Sequence, residues 1–383
     1  MALRALASVN LAAIERNAAA LRSRLAPGVK LCAVVKADAS GHGAAPVAGA
    51  ALAGGASCLA VASAGEAVAL RDAGLSAPIL VLGALSDDEL PHALAAGAGV
   101  VAWTDRFVDA VEGALNKGSR LAAAPRPVPV HVKLDSGMGR LGTRDAAHAL
   151  AIAERIASRP ALRLAGVMTH MATADGDREF MAAQLAVFGS FGARLRGALG
   201  PVPMHAANSA ATLREPASHF DMVRCGIALY GCDPMNEDPD AAGVEPALEL
   251  SSYVAAVKLA SPGESVGYGR RFVATRATWI ATIPIGYADG VRRALSDNCE
   301  VLVAGRPLPV VGTVSMDNIA VELGPEPLVA PGARVVLIGR DGDHRLTVED
   351  MARRIGTINH EVLCGISARV PRRYHRDGVP CDA

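Results

Sequence analysis

The first 230 residues of the chain alternate between two patterns of apolar and polar positions. Short runs rich in valine, isoleucine and leucine are typical of buried strands, and longer alanine-rich stretches with a helical period are typical of helices. Each of the first six runs is followed by such a helical stretch, and the seventh only by a short, weak one at 208–216. The predicted strands span residues 29–36, 58–63, 78–83, 99–103, 128–135, 162–170, 202–207 and 220–226. The residues before the first run have a helical period and no predicted strand.

Eight strands in βα alternation are typical of one fold class in particular. A (β/α)8 barrel of the TIM type contains this pattern in roughly 250 residues. A doubly wound open sheet is the alternative, but we find no strand followed by G-x-G-x-x-G and a helix, which disfavours it. The sequence therefore predicts an α/β fold with a TIM-type barrel.

The pattern changes after Gly231. Residues 232–246 are rich in proline and acidic residues, which is typical of a linker. The runs that follow lack long helical spacers and predict a mostly-β domain. One helix is predicted at 347–356, where Thr347 and Asp350 resemble a capping box. We place the barrel domain at residues 1–240 and the C-terminal β domain at 241–383.

Composition narrows the class of protein. The chain has 383 residues, more than the ~250–300 at which single cores stop growing, so two domains are expected. Its 38 basic and 38 acidic residues balance, which disfavours nucleic-acid or membrane-surface binding. Seven scattered cysteines without C-x-x-C disfavour a disulfide framework or a metal site. We find no signal peptide and no apolar run of ~18 residues, so we expect a cytoplasmic protein that acts on a small molecule.

Charged residues lie at the carboxyl ends of the predicted strands, where barrels of this type place their functional groups. Lys36 ends the first strand, Lys133 lies in the fifth with Arg140 after it, His170 ends the sixth, and Arg224 lies in the eighth. So many basic groups at one mouth indicate an anionic ligand. The alternative for each is an ordinary ion pair or a buried, satisfied histidine.

Small polar residues and a glycine follow the seventh and eighth strands, at Asn208, Ser209 and Gly226, and Ile227 comes directly after the glycine. This is the usual place in such barrels for a phosphate held by main-chain N–H groups. An N-cap of the next helix is the structural alternative for the Asn-Ser pair. A barrel, a phosphate site and a converging lysine together indicate pyridoxal 5'-phosphate (PLP) held as a Schiff base.

Eight segments resemble the motifs of the alanine racemase family, in the family's order and over nearly the whole chain. The resemblance implies a fold-type III PLP enzyme that interconverts L- and D-alanine as a homodimer, with each active site shared between subunits. The segments are AVVKADASGHG (33–43), KLDSGMGRLG (133–142), HAANSAATL (205–213), MVRCGIALYG (222–231), VGYGRRF (266–272), IPIGYADG (283–290), GTVSMDN (312–318) and INHEVLCGISARVPRRY (358–374).

The resemblance implies the main catalytic roles. Lys36 is similar to the lysine that binds PLP and acts as one base, and Tyr268 is similar to the second base, offered by the partner subunit. Two bases on opposite faces of a flat cofactor remove and return a proton most simply. His170, with Arg224 behind it, would make the phenol more acidic through a hydrogen-bond chain. Arg224 would also face the pyridine nitrogen and leave it unprotonated, which limits transamination.

The resemblance also implies substrate contacts. Arg140 would lie near the phenolic oxygen of PLP and the substrate carboxylate. Met316 and Asp317 resemble the loop that receives that carboxylate, and Tyr287 resembles a residue at the active-site entrance. Lys133 matches a position that is carbamylated in many relatives, where the carbamate holds Arg140. An unmodified lysine and ordinary loop residues are the alternatives.

Two positions depart from the family pattern. Ser40 replaces a tyrosine that bonds the phosphate, and His360 replaces a tyrosine beside the phosphate and the substrate side chain. These changes predict weaker PLP retention and leave open a serine or broad-specificity racemase. A decarboxylase of basic amino acids is disfavoured by the VRCG and VGYG motifs. A single-barrel PLP carrier is disfavoured by the second domain.

Overall fold

The computed structural model describes residues 3–117 and 127–381. They form two compact units. The barrel unit comprises the described parts of Ile14–Ala39 and Ala44–Leu229, and the β unit comprises those of Met1–Ala13, Ser40–Gly43 and Tyr230–Ala383. Among the helices in the described ranges, none has the length and apolar character needed to cross a bilayer.

Strand β1 (Ala5–Asn10) opens the described chain and belongs to the β unit. The helical period predicted for this segment is wrong for these residues. They form a strand because they pair antiparallel with Leu248–Tyr253 and parallel with Arg372–Arg376. Strand formation depends more on such pairing than on local propensity. The predicted domain boundary assigned all residues before 241 to the barrel domain, and so it did not place β1 in the β unit.

Eight parallel strands close the barrel unit, and the predicted TIM-type fold is confirmed. The last strand pairs with the first in parallel, with Cys32 opposite Arg224. A bridge from Leu80 to Gly99 joins the two four-stranded halves on one side, and the Asp221 N–H donates to the Met204 carbonyl on the other. The strands are β2 (Lys30–Val34), β3 (Cys58–Val61), β4 (Ile79–Val81), β5 (Val100–Ala102), β6 (Val128–Lys133), β7 (Leu162–Met168), β8 (Met204–His205) and β9 (Met222–Cys225).

Helices connect these strands, as the pattern predicts. The stretch at 208–216 forms a short helix whose N-cap is Asn208, and Ser63 and Glu66 form a capping box on another. The helices are α1 (Leu11–Ser23), α2 (Lys36–Gly41), α3 (Ala44–Ala53), α4 (Ala64–Asp72), α5 (Leu90–Ala95), α6 (Asp105–Lys117), α7 (Ala146–Ala157), α8 (Arg178–Leu199) and α9 (Ser209–Arg214).

A buried cluster of apolar residues fills part of the barrel interior. Its members come from six of the eight strands, so they can meet only inside the ring. Leu82 and Trp103 pack against it. We call this the apolar cluster; it consists of Cys32, Ala60, Leu80, Val101, Met168 and Met222.

The β unit is built on an 11-stranded sheet, in agreement with the predicted mostly-β domain. Its order is β11-β14-β17-β16-β15-β18-β10-β1-β20-β21, with β19 paired to β18, and β12 and β13 form a separate hairpin. The strands are β10 (Leu248–Tyr253), β11 (Ala256–Ala260), β12 (Ser265–Val266), β13 (Phe272–Val273), β14 (Thr278–Ile283), β15 (Glu300–Val303), β16 (Arg306–Val311), β17 (Ile319–Gly324), β18 (Arg334–Asp341), β19 (His344–Leu346), β20 (Arg372–Arg376) and β21 (Val379–Pro380).

Three helices complete the β unit: α10 (Pro239–Ala242), α11 (Val348–Arg354) and α12 (Asn359–Cys364). The predicted capping box of Thr347 and Asp350 is present at the start of α11. The predicted linker at 232–246 is part of the fold, because the Asp233 N–H donates to Glu349 and Asn236 accepts the Asn359 N–H, each at 2.9 Å.

Candidate active site

Lys36 directly follows β2 and Val35, and its side chain is exposed. The next four residues, Ala37 to Ser40, all have φ of 52–53°, which makes α2 a left-handed turn. Such a conformation costs about 1–2 kcal/mol per residue. The turn is held by Glu66, whose Oε1 accepts the Ala37 N–H at 2.7 Å. Strained backbone of this kind concentrates at functional sites.

Glu66 therefore serves two elements at once. Its other carboxylate oxygen accepts the N–H groups of Ala62 and Ser63, at 2.6 and 3.2 Å, where α4 begins. The carboxylate thus fastens the turn after Lys36 to the end of the neighbouring strand. Reading strand ends for functional groups did not single out this residue, although the S-x-x-E capping signal is in the sequence.

Lys133, the last residue of β6, is only 4% exposed. Burial lowers its pKa to about 8, and the positive charges of Arg224 and Arg140 add to the effect. Asp135 opposes it only in part. About a tenth of this amine is therefore unprotonated at pH 7.

Arg224 lies inside the barrel on β9 and is 3% exposed. Its Nη1 contacts His205 Nδ1 at 2.8 Å, and its Nη2 contacts His170 Nδ1 at 3.3 Å. Nη2 also donates to the carbonyls of Thr169 at 2.8 Å and Ala206 at 3.0 Å. Burial lowers the pKa of Arg224 to about 10, so it remains a cation at neutral pH.

His205, one of the two histidines that contact Arg224, also contacts a third histidine. His205 Nε2 lies 2.9 Å from His131 Nδ1, with the two rings nearly perpendicular. We call His131, His205, Arg224 and His170 the polar network. Burial and the charge of Arg224 hold the pKa of His170 and of His205 well below the usual range. His131 and His205 lie within strands, and neither was predicted as a site residue.

Four of the basic residues predicted at the barrel mouth act electrostatically on one histidine. After burial, the causes that lower the pKa of His170 are the charges of Arg224, Arg140, Lys133 and Lys36. All four cations therefore lie within electrostatic reach of one imidazole. Arg140 is exposed in the loop after β6.

The carboxylate of Asp135 organises the loop that carries Arg140. Its oxygens accept the N–H groups of Gly137 at 3.1 Å and Gly139 at 3.0 Å. The same carboxylate accepts from Arg144 Nε at 3.2 Å. Asp135 is thus committed to the geometry of this loop, and its charge raises the pKa of Lys133 less than burial and the nearby cations lower it.

The predicted phosphate cradle is compact. Ser209 Oγ accepts the N–H groups of Gly226 at 3.0 Å and Ala228 at 3.4 Å, which ties the start of α9 to the turn after β9. Asn208 Oδ1 accepts the Ala211 N–H at 3.0 Å, so the N-cap alternative holds for its side chain. Ile227 is buried beside them, at 3% exposure.

In the β unit, Tyr268 stands on a tight turn and is 73% exposed. Gly267 and Gly269 on either side have φ of 77° and 72°, which favour glycine. The Tyr268 carbonyl accepts from Thr313 Oγ1 at 2.9 Å, which joins this turn to the loop that carries Met316. The fold thus presents the phenol outward.

Tyr287 and Met316 lie on two loops that are paired through their backbones. The Tyr287 N–H donates to the Ser315 carbonyl at 2.9 Å, and the Ala288 N–H donates to the Met316 carbonyl at 3.0 Å. A Cβ on Gly286 would lie 2.3 Å from the Ser315 carbonyl, so only glycine allows this approach. Tyr287 is 44% and Met316 52% exposed.

The carboxylate of Asp317 is committed to an ion pair with Arg369 at 2.7 Å. Arg369 and Arg4 also pair with Asp289, which is fully buried. These contacts fix the loop beside Met316. Sequence reasoning did not identify Arg4, Asp289 or Arg369 as parts of this arrangement.

His360 lies exposed on α12. The residue before it, Asn359, is buried and donates from Nδ2 to the Asp233 carbonyl at 2.7 Å and to Glu349 at 3.0 Å. Burial raises the pKa of Glu349. The predicted linker therefore helps to anchor the helix that presents His360. Ser40, the other departure from the family pattern, is half-buried.

The functional groups of the barrel unit fit PLP. An exposed amine can bond its carbonyl carbon, a buried arginine can face its ring nitrogen, and a serine hydroxyl at a helix start can bond its phosphate. Within the two described ranges there is no group of three or more His, Cys, Asp and Glu side chains able to hold a metal ion.

Two family models match the chain. The alanine racemase N-terminal domain matches residues 9–234, and the alanine racemase C-terminal domain matches residues 247–374. An alanine racemase of Geobacillus kaustophilus is 44% identical over 375 residues, covering 96% of this chain and 94% of its own. One of Nostoc sp. is 39% identical over 376 residues, covering 96% and 95%.

Solved structures agree with this result. Alanine racemase from the D-cycloserine producer Streptomyces lavendulae has a TM-score of 0.91 at 35% identity, covering 98% of both chains. Alanine racemase from Bacillus anthracis with bound L-Ala-P has a TM-score of 0.90 at 36% identity, covering 100% of this chain and 97% of that one.

Proposed function

The chain belongs to the alanine racemase family, and from this premise we propose that it interconverts L- and D-alanine with PLP bound at Lys36. The observation that carries the proposal is the exposed Lys36 amine at the end of β2, within reach of a network whose fixed cation is Arg224. The relatives described above all carry the name alanine racemase, so we propose alanine rather than serine as the substrate.

The barrel unit would hold the cofactor. Ser209 accepts two main-chain N–H groups and keeps its one O–H as a donor, which would turn from the neighbouring Cys225 thiol to a phosphate. We propose that Asn208, Gly226 and Ile227 shape this cradle, with Gly226 placing the serine. His360 of α12 would act as a further cofactor contact. When bound, PLP withdraws electrons from the substrate Cα and makes its proton removable.

Arg224 would donate to the ring nitrogen. Because its pKa is about 10, Arg224 stays protonated near neutral pH. It would therefore donate a hydrogen bond to the ring nitrogen without transferring its proton. A guanidinium leaves the ring nitrogen unprotonated, where a carboxylic acid would protonate it. This choice of residue favours return of the proton to Cα over side transamination.

Two bases would serve the two faces of the substrate. The Lys36 amine takes or returns the Cα proton on one face, and the phenol of Tyr268 does so on the other. An aromatic side chain 73% exposed to solvent on a fixed turn is suited to reach into another molecule. We propose that a second copy of the chain supplies Tyr268, which makes the active enzyme a homodimer.

Substrate recognition would be shared between two subunits. Arg140 in the barrel unit of one subunit would bind the carboxylate. A second copy of the chain would contribute Met316, through its main chain, and the neighbouring Asp317, through its ion pair with Arg369. Tyr287 would line the entrance.

Lys133 is our candidate for carbamylation. Because its pKa is about 8, a fraction of the amine is neutral at working pH and can attack carbon dioxide. The C–N bond forms and the nitrogen releases one proton, so the neutral amine becomes a carbamate anion; counted from the ammonium form, two protons leave. That anion can pair with Arg140, one of the charges that depresses the lysine's pKa.

The proposal is tested by incubating the PLP-loaded protein with L-alanine and separating the enantiomers by chiral chromatography. We expect equal amounts of both at equilibrium and no carbon dioxide. Borohydride reduction and peptide mapping should place the pyridoxyl group on Lys36. A label on another lysine, release of carbon dioxide, or turnover of serine but not alanine would contradict it.

A further inference from the structure

His131 lies on β6 two residues before Lys133, so both side chains point to the same face of the strand. The pairing with β7 shifts by one residue between Val130 and His131, so that His131 lies opposite Gly166. A Cβ on Gly166 would lie 2.9 Å from His131 Nδ1. The glycine is therefore what leaves room for the imidazole beside His205.

The protons of the polar network can be assigned from its donors. A guanidinium only donates, so His205 Nδ1 must accept from Arg224. The proton of neutral His205 is then on Nε2, and it points at His131 Nδ1, 2.9 Å away. His131 must accept there, and its own proton is on Nε2.

Physical conditions hold these rings neutral. Burial, with the charges of Arg163 and Arg224, lowers the pKa of His131 to about 3. Protonation of His131 at Nδ1 would set two N–H groups against each other across 2.9 Å. His205 is 1% exposed, so its Nε2 proton has little access to water in place of His131.

The same rule applies at the other end. His170 Nδ1 accepts from Arg224 Nη2, so the proton of His170 is on Nε2. Arg224 thus has one histidine acceptor on each terminal nitrogen, and two carbonyls fix the plane of its guanidinium. If the proton of His205 could also occupy Nδ1, this nitrogen would no longer accept from Arg224 Nη1. The guanidinium would then lose one of its two histidine acceptors.

We infer that His131 is a positioning residue for the racemisation: by accepting the His205 Nε2 proton it fixes the His205 tautomer and thereby the orientation of Arg224. The inference rests on the proposed role of Arg224 at the cofactor's ring nitrogen. It adds a residue from the middle of a strand, which would act through His205 and Arg224 and not on substrate or cofactor directly.

The test compares two variants of the PLP-loaded enzyme. In His131→Asn, Oδ1 stands near the place of Nδ1 and can still accept; in His131→Leu no acceptor remains. We expect His131→Leu to lower kcat by about tenfold or more, with KM for alanine changed less, because an unpaired buried donor is costly. The ratio of side transamination to racemisation should rise. His131→Asn should recover most of both.

His219 provides the matched control, as a buried histidine of the same unit whose Nε2 contacts the Thr212 carbonyl at 2.9 Å. His219→Leu should lower the melting temperature without changing the ratio of transamination to racemisation. If His131→Leu behaves like His219→Leu, the inference fails.

A second measurement is independent of activity and of variant folding. Nitrogen-15 spectra of the wild-type histidines should show His205 and His131 as neutral rings protonated at Nε2. An imidazolium, or a His205 protonated at Nδ1, would overturn the inference.

Arg224→Gln separates failure of the inference from failure of the proposed role of Arg224. If Arg224→Gln leaves the ratio of transamination to racemisation unchanged, the proposed role of Arg224 fails. If it raises that ratio and His131→Leu does not, only the inference fails.

Discussion

The barrel interior contains two regions of opposite character at similar depth. The apolar cluster, with Cys32 and Leu80 among its members, is held mainly by apolar packing. The polar network is held by hydrogen bonds that converge on Arg224. Met222 and Arg224 belong to different regions although they are two residues apart on β9. The barrel interior therefore has one region that stabilises the fold and another that orients charged groups.

This difference predicts how substitutions divide. Changes in the apolar cluster should cost stability and spare the chemistry of each folded molecule. Changes among the charged groups at the barrel mouth should lower activity and cost little stability. Several of these side chains are exposed, and a buried cation among them itself destabilises the fold.

The largest expected effect is on Lys36. Lys36→Ala should lower the rate of racemisation by at least about 10²–10⁴-fold, the range for loss of a positioned base, and further for loss of the cofactor's covalent anchor. Because the side chain is exposed, the melting temperature of the PLP-free protein should stay close to that of wild type. Chiral chromatography and calorimetry measure the two. A large loss of stability would show that the residue is structural.

Leu80→Ala tests the other region. Leu80 is 5% exposed within the apolar cluster, and removing it should destabilise the protein by about 2–5 kcal/mol. Leu259, 49% exposed on β11, is the control, and Leu259→Ala should cost less than about 0.5 kcal/mol. Denaturant unfolding gives both values. A kcat per folded molecule that fell along with stability would erase the proposed division.

Lys133 should give a pH signature. Its pKa is about 8 in the folded protein against an ordinary 10.5, so the unfolded chain binds more protons between these values. Stability should therefore rise with pH in this window, by up to about 1.4 kcal/mol per unit, and the gain should be lost as pH falls to 8. Lys133→Met should remove this slope in carbonate-free buffer.

The control for that slope is Lys258→Met, at an exposed position on β11. Added bicarbonate should flatten the wild-type curve if Lys133 is carbamylated, since the cation is then gone. A slope that is the same in wild type and Lys133→Met would contradict the account of this residue.

The smallest expected effect is on His360. His360→Tyr should exchange the imidazole contact for a longer phenol that donates a charge-assisted hydrogen bond to the phosphate, worth at most about 1.5–3 kcal/mol, and so tighten PLP binding by up to about tenfold. The ratio of kcat/KM for L-serine to that for L-alanine should fall. Equilibrium dialysis against PLP gives the first quantity. An unchanged dissociation constant would mean that His360 already supplies the contact or lies too far to do so.

The sequence predicted the fold and the barrel mouth for clear reasons. Strand ends are visible as the last polar residue of an apolar run, and this rule located Lys36, Lys133, His170 and Arg224. It did not locate His131, because alternating valines and polar residues on β6 resemble a half-exposed strand. In the barrel that strand turns its polar positions inward, and its valines are buried as well.

Other features needed contacts that no local pattern contains. β1 was predicted as helix because its strand partners, Leu248–Tyr253 and Arg372–Arg376, are more than 200 residues away. The acidic segment at 232–246 resembled a linker, but Asp233 and Asn236 are hydrogen-bonded to the helices of the β unit. Composition shows that a segment is polar, but it does not show which groups form hydrogen bonds with its polar atoms.

The central claim is that Lys36 of one subunit and Tyr268 of another form one active site, and mixing two inactive variants tests it most directly. Lys36→Ala and Tyr268→Phe dimers would be prepared separately, mixed in equal amounts, dissociated and reassociated. Random pairing gives hybrids in about half of the dimers, each with one intact site, so about a quarter of wild-type activity should return. If both groups served the same subunit's site, no hybrid would contain an intact site. Activity that stayed at the level of the separate variants would contradict the account.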